Sequence, residues 1–242
     1  MSITLLNATW KKNWLLLVIF FGVLTMYMTV MISMFNPNDM QAINNMLKLF
    51  PESMMKAFGF SNAPTNLTGY LASFLYGMLM LGFPLVYCAI LGNWLVAKMV
   101  DNGSFAYLLS TPNSRTKIVF TQGVYALLSI AALSAALFGI GVLICAVSFP
   151  GVLNVTAFSR LNFTTMLVNM TVMMICFFFS CLFNDTKKAQ GIGAGIPIAF
   201  LLMNMLGGAS MDAQVLKSLS IYGLYDPLKL AGGADVTYVN LF

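Results

Sequence analysis

The sequence has few charged residues and no histidine. Charged residues make up 8% of the 242 positions, whereas a typical soluble domain has about 25%. So few charges cannot cover a globular surface in water, and 60% of the residues are hydrophobic. This composition excludes an ordinary soluble protein and indicates that lipid surrounds most of the chain.

The residues that would support metal or nucleotide chemistry are also missing. The cysteines Cys88, Cys145, Cys176 and Cys181 lie in apolar blocks without a C-x-x-C pair, which argues against a zinc site or a disulfide framework. Gly191, Gly193 and Gly195 lack the Lys-Ser/Thr that a phosphate-binding loop requires. We expect these glycines to allow close helix packing instead. The chain is therefore predicted to be neither an enzyme nor an ATPase, and to hold no metal or cofactor itself.

Five apolar blocks dominate the chain and are continuous rather than alternating. Because a hydrocarbon core about 30 Å thick needs roughly 20 helical residues, each block is long enough to cross it. The block that follows Lys11 and Lys12 is too long for a secretory signal and is interpreted as a permanent span. The predicted spans are 14–35, 70–98, 118–147, 163–183 and 191–206. The predicted fold class is an all-α polytopic transmembrane helix bundle, with residues 1–242 as a single domain.

The distribution of lysine and arginine predicts the orientation, because cytoplasmic loops are enriched in both. With the amino terminus inside, the cytoplasmic segments contain seven basic and two acidic residues, and the outer segments contain five of each. The inner residues are Lys11, Lys12, Lys98, Asp101, Arg115, Lys117, Asp185, Lys187 and Lys188. The sequence therefore predicts a cytoplasmic amino terminus.

Two long segments are predicted on the outer side. Within 36–68, methionines and other apolar residues at spacings of three and four indicate short interfacial helices. The segment 209–242 is semi-polar and partly helical, and it becomes apolar again from Val236 to Phe242. We interpret this last stretch as the approach to a sixth span.

The inner segment between the second and third spans contains the most informative motif. Asn102-Gly103 predicts a turn, and Ser104 is predicted to cap a short helix that Pro112 ends. Phe105, Leu108 and Leu109 follow at i, i+3 and i+4, which places them on one face. Arg115 and Lys117 are positioned to meet phosphate headgroups or an acidic partner. From these residues alone, both a plain interfacial loop and a docking helix remain open.

The string from Asn102-Gly103-Ser104 through Tyr107-Leu108-Leu109-Ser110-Thr111-Pro112 to Arg115 resembles the signature of ABC-2-type permeases. The resemblance extends to the amino terminus, the long loop after the first span and the outer segment 219–227. Two features differ: members usually have a glutamate shortly before the glycine, where this chain has Met99 and Val100, and they usually have six spans.

The resemblance implies a membrane permease subunit of an ATP-binding-cassette exporter in a bacterial plasma membrane. It implies that 103–112 is the coupling helix, which docks on a separate ATP-binding subunit that binds ATP and magnesium. The other implied partners are a second permease, identical or related, and membrane lipid, with no nucleic acid. The residues implied in coupling are Asn102, Gly103, Ser104, Phe105, Tyr107, Leu108, Leu109, Pro112 and Arg115.

The expected cargo is amphipathic or hydrophobic. The signature is similar to that of permeases that export amphipathic peptides, including the phenol-soluble-modulin toxins of Gram-positive bacteria, and an antimicrobial peptide, a lipid or a drug are alternatives. No acidic residue lies inside a span, which argues against ion or proton coupling. Amides within the spans, such as Asn93, are expected to hydrogen-bond between helices or to bind substrate. A non-transporting membrane scaffold or sensor is the alternative from another functional class.

Overall fold

The computed structural model describes residues 2–36, 49, 51, 54–55, 66–110, 114–209 and 214–231. Every regular element within these ranges is helical and none is a strand, which confirms the predicted all-α class. The α-helices are α1 (Ile3–Ser33), α2 (Leu67–Phe74), α3 (Leu79–Leu95), α4 (Ala97–Asp101), α5 (Ser104–Leu109), α6 (Arg115–Ser148), α7 (Val155–Leu182), α8 (Thr186–Ala209), α9 (Gln214–Leu219) and α10 (Pro227–Ala231). A 3₁₀-helix at Ile221–Leu224 separates the last two.

Five helices of the described part are long and apolar enough to cross a membrane. The number agrees with the sequence prediction. They span Ile3–Ser33, Leu79–Asp101, Arg115–Ser148, Val155–Leu182 and Thr186–Gly208. The first begins well before residue 14, because the helix includes Lys11 and Lys12 at its polar end.

The second predicted span, 70–98, is not one helix. The backbone N–H groups of Tyr76 and Met80 donate to Leu71 and Leu75, five residues back. This wide turn separates α2 from α3, whereas an uninterrupted α-helix would bond four residues back. The periodicity of apolar residues carries no sign of this change, so the sequence predicted a single long block.

Several predictions concern residues outside the described ranges. These are the helices proposed for much of 36–68, the stop at Thr111-Pro112 and the apolar stretch 236–242. They stay predictions.

The chain divides into two compact units. Unit 1 consists of Met1–Gly22, Phe83–Ala135 and Asn169–Ile198, and unit 2 consists of Val23–Gly82, Ala136–Val168 and Ala199–Phe242. All nine charged residues of the predicted cytoplasmic segments belong to unit 1. The described charged residues of the predicted outer segments, Arg160, Lys217, Asp226 and Lys229, belong to unit 2. The grouping by packing therefore agrees with the grouping by charge.

Close helix contacts in unit 1 depend on small residues. A Cβ atom added to Gly92 of α3 would lie 2.9 Å from Cys176 Cβ and 3.2 Å from the Cys176 carbonyl carbon. On α8, an added Cβ at Gly193 would lie 3.3 Å from Phe179 Cβ. Both α3 and α8 therefore approach the backbone of α7 closely, which a larger side chain would prevent.

In unit 2, aromatic residues pack around the end of α1. The Phe35 ring lies 5.4 Å from the Tyr70 ring and 5.3 Å from the Phe149 ring, measured between centroids. Met28 and Phe158 fill the space beside Gly141, where an added Cβ would come within 3.0 Å of both side chains. These contacts join α1, α2, α6 and α7 within the unit.

Polar contacts hold the segment 219–231 within unit 2. Ser220 Oγ donates to the carbonyl oxygen of Phe200 at 2.7 Å and accepts from the backbone N–H of Tyr222 at 3.1 Å. Tyr225 is buried, and its hydroxyl lies 2.8 Å from Thr165 Oγ1. Burial raises the pKa of Tyr225 above its ordinary value, so the phenol stays protonated and available for this bond.

Candidate functional site

A short helix is present where the signature predicts one, and Gly103 begins it. Gly103 has φ +73° and ψ −4°, the left-handed conformation that side chains other than glycine rarely adopt. Its carbonyl oxygen accepts a hydrogen bond from the N–H of Ala106 at 3.1 Å. The reversal at Gly103 therefore ends α4 and starts α5 in a new direction.

The predicted capping role of Ser104 is wrong. Gly103 occupies the N-cap position, and Ser104 is the first residue of α5. The side-chain oxygen of Asn102 accepts hydrogen bonds from the N–H of Ser104 at 3.1 Å and from its hydroxyl at 2.6 Å. Asn102 therefore performs the capping that the sequence assigned to Ser104, because the left-handed glycine moves the helix start by one residue.

The two faces of α5 differ as the spacing predicts. Phe105, Leu108 and Leu109 are half-buried, whereas Ala106 and Tyr107 are exposed. No residue of α5 is fully buried, and Tyr107 is 79% exposed. The Tyr107 ring is therefore accessible to a protein or membrane partner.

Arg115 is not on the short helix. It is the first residue of α6 and is exposed, as is Lys117. Ser114 accepts from the N–H of Lys117 at 3.3 Å and so caps α6. The signature therefore spans two helices, and Pro112 between them lies outside the described residues.

A break between α3 and α4 sets the direction of the chain just before α5. The N–H of Ala97 donates to Ser180 Oγ of α7 at 2.9 Å. The Ser180 hydroxyl in turn donates to the carbonyl oxygen of Asn93 at 3.4 Å. Asn93 is four residues before Ala97, so Ser180 is inserted between the donor and the acceptor of one helical turn. The sequence does not point to Ser180, because a serine in an apolar span gives no sign of its partners.

Other sequence predictions for unit 1 have mixed outcomes. Of the three clustered glycines, only Gly193 faces a close neighbour, since an added Cβ at Gly191 or Gly195 would meet no atom within 4 Å. Asn93 Nδ2 donates to Gln190 Oε1 of α8 at 3.2 Å, which is a contact between helices.

Asp185 caps α8 by accepting from the N–H groups of Lys187 and Lys188. These two bonds lower the pKa of Asp185, so the carboxylate stays ionised in its turn.

The comparison with known families decides the class of the protein. A family model described as "ABC-2 family transporter protein" matches residues 7–229. The chain belongs to the ABC-2 transporter family. No curated protein and no solved structure gives a match.

Membership in the ABC-2 family makes this chain a multi-pass membrane protein of the permease class of ABC exporters. Such permeases are transport components that work with an ATP-binding subunit. Among the residues that the structure describes, no three potential metal ligands come together.

Proposed function

We propose that this permease moves an amphipathic or hydrophobic cargo out of a bacterial cell, driven by a separate ATP-binding subunit that docks on α5 at the cytoplasmic face. The observation that carries the proposal is the exposed helix at the signature. Tyr107 is 79% exposed, and the half-buried Phe105, Leu108 and Leu109 attach the opposite face of α5 to its own chain.

The proposed mechanism uses α5 as the point where force enters the permease. Two permeases, identical or related, form a path between them, and two subunits bind ATP and magnesium. When those subunits close, they push on α5, which connects the second span through α4 to the third span at Arg115. Because the ATP-binding subunits bind the inward-open and outward-open states with different affinities, their closure shifts the balance between the states.

The composition supports the proposed cargo. The chain contains 19 methionines and 20 phenylalanines, and some are exposed on the spans, such as Met26, Phe120 and Phe178. Flexible thioethers repack around apolar shapes of different sizes. An amphipathic peptide of the phenol-soluble-modulin type fits this chemistry, and bacteriocins, lipids and drugs fit it as alternatives.

A charge placed on the exposed face of α5 tests the docking. We expect Tyr107→Asp to abolish co-purification of an ATP-binding subunit encoded beside this chain and to stop cargo export. The physical reason is that a buried, unpaired carboxylate strongly destabilises a protein interface. The measurements are the yield of the subunit in a pull-down and the cargo level outside the cells.

The matched control is Val152→Asp, which places the same charge on a 46%-exposed residue of the loop between α6 and α7. This variant should keep docking and export. Normal docking and export by the Tyr107→Asp permease would overturn docking at α5. Unchanged cargo levels outside cells that lack this chain would instead favour a non-transporting scaffold or sensor.

A further inference from the structure

Within unit 1, α6 and α7 form an open cavity of about 610 Å³. This volume falls within the range of small-molecule sites in proteins. Its lining includes Arg115, Val119, Gly123 and Leu127 of α6 with Met174 and Phe177 of α7. We call this cavity the α6–α7 groove.

The α6–α7 groove runs along the axis of α6 rather than across it. Arg115, Val119, Gly123 and Leu127 are each four residues apart, so they lie on one face of α6 over about three turns. Twelve residues of helix extend about 18 Å. That length is close to the hydrocarbon thickness of one bilayer leaflet, about 15 Å.

The walls of the groove suit a slender apolar chain. Phe177 is buried beneath Gly123, where an added Cβ would lie 3.3 Å from the ring. Val119 and Leu127 are half-buried, and Met174 is 39% exposed. The glycine therefore opens a channel that any larger residue would narrow.

One end of the groove is cationic. Among the described residues that line it, Arg115 is the only charged one, and its side chain is exposed. It is also the first residue of a 34-residue helix, whose amino-terminal end adds positive potential. Because no carboxylate is present among the lining residues that the structure describes, an anionic group fits this end.

We propose that the α6–α7 groove binds one phospholipid of the surrounding membrane, with an acyl chain along Val119 to Leu127 and an anionic headgroup phosphate on Arg115. The occupant has to combine a long apolar part with an anion at one end, and a membrane phospholipid meets both requirements. Arg115 therefore contacts lipid rather than the ATP-binding subunit. This site goes beyond the proposed export function and does not depend on it.

Lipid titration of the purified full-length chain tests the site. The probes are phosphatidylglycerol and phosphatidylcholine with identical acyl chains, and the bound lipid is counted by native mass spectrometry. The wild-type chain should prefer phosphatidylglycerol. Since each basic residue near a membrane surface contributes about 1 kcal/mol with an anionic lipid, Arg115→Gln should lower phosphatidylglycerol affinity about fivefold. It should lower phosphatidylcholine affinity less, because the choline cation offsets the charge of the phosphate in that lipid.

The control for charge is Lys117→Gln, which removes an exposed cation two residues away that does not line the groove. It should change the affinity much less. Equal effects of Arg115→Gln and Lys117→Gln, or equal affinity of the wild-type chain for both lipids, would overturn the proposal.

A second pair of variants tests the apolar walls. Val119→Trp fills the groove and should remove binding of both lipids, whereas Leu128→Trp changes a 44%-exposed residue of the same helix outside the groove and should retain it. The same native mass spectra show what fraction of the chain is dimeric. If Val119→Trp still binds lipid but lowers that fraction, a second copy of the chain occupies the groove and the proposal is wrong. No ATP-binding subunit is present in these measurements, so their result is independent of the export proposal.

Discussion

Gly103 and Gly151 have nearly the same backbone conformation but belong to different units. Their φ angles are +73° and +77°, and an added Cβ would meet no atom within 4 Å at either position. A substitution at either residue therefore acts through backbone strain alone. Only Gly103 lies in the ABC-2 signature, so the two glycines separate a general loss of stability from a loss of coupling.

We predict that Gly103→Ala and Gly151→Ala destabilise the permease to a similar extent, about 1 kcal/mol, because alanine disfavours the left-handed conformation. Only Gly103→Ala should also reduce pull-down of the ATP-binding subunit, since it changes where α5 begins. Thermal unfolding measures the first effect and the pull-down yield measures the second. Equal pull-down yields for the two variants would contradict a coupling role for the turn.

Gly223 is a residue whose importance only the packing reveals. An added Cβ there would overlap the carbonyl oxygen of Lys217. The φ angle of Gly223 is not positive, so its conformation does not require glycine. Glycine is needed because the 3₁₀-helix passes very close to the backbone of α9 at Lys217. No local sequence pattern indicates this approach.

Among the elements, the break between α3 and α4 has the most direct connection to α5. Ser180 Oγ bridges the N–H of Ala97 and the carbonyl oxygen of Asn93. Ala97, Asn93 and Ser180 are buried. Without the hydroxyl, these backbone groups must either stay unpaired or bond to each other and straighten the helix, which would redirect α4.

We predict that Ser180→Ala destabilises the permease by about 1–3 kcal/mol, the usual consequence of leaving buried polar groups unpaired. It should also reduce docking of the ATP-binding subunit, because α4 leads directly into α5. Thermal unfolding and pull-down are the measurements.

Ser73→Ala is the control for this prediction. Ser73 is as buried as Ser180, but its hydroxyl donates within its own helix to the carbonyl oxygen of Gly69 at 3.0 Å. This variant should change stability and docking little. Similar losses in the two variants would show that any buried serine has the same effect.

For the whole molecule, charge and packing give the same division of the chain. Unit 1 contains seven basic and two acidic residues, and these are the residues predicted to face the cytoplasm. The positive-inside tendency predicts that the charged segments of unit 1 face the cytoplasm. Because α5 belongs to unit 1, the orientation decides whether an ATP-binding subunit can reach it.

We predict that a cysteine at Val152 reacts with a membrane-impermeant maleimide on intact cells. A cysteine at Ser110 should react only after the membrane is opened. Both residues are exposed, and the tests use a Cys181→Ala background because Cys181 is the exposed native cysteine and the other three are buried. Labelling is measured by mass shift. The reverse pattern would place α5 outside the cell and exclude its proposed docking.

The amino-acid sequence by itself determined the environment, the helical class and the five apolar spans of the described residues. Low charge and continuous apolar blocks place the chain in lipid, which offers the backbone no hydrogen-bond partners. Continuous apolar blocks then have to form helices, because a helix bonds its backbone groups within its own segment. The lysine and arginine distribution also predicts the orientation, with the amino terminus in the cytoplasm. The signature located a short helix near Ser104, because turn residues and apolar spacing act within a few residues.

The tertiary structure alone decided the contacts between distant segments. Ser180 reaches a helix break more than eighty residues away, at Ala97 and Asn93. The cavity beside Arg115 exists because Phe177 of α7 lies beneath Gly123 of α6. Such contacts depend on which faces of two helices meet. Lipid-exposed and packed faces are both apolar in these spans, so the residue pattern does not distinguish them.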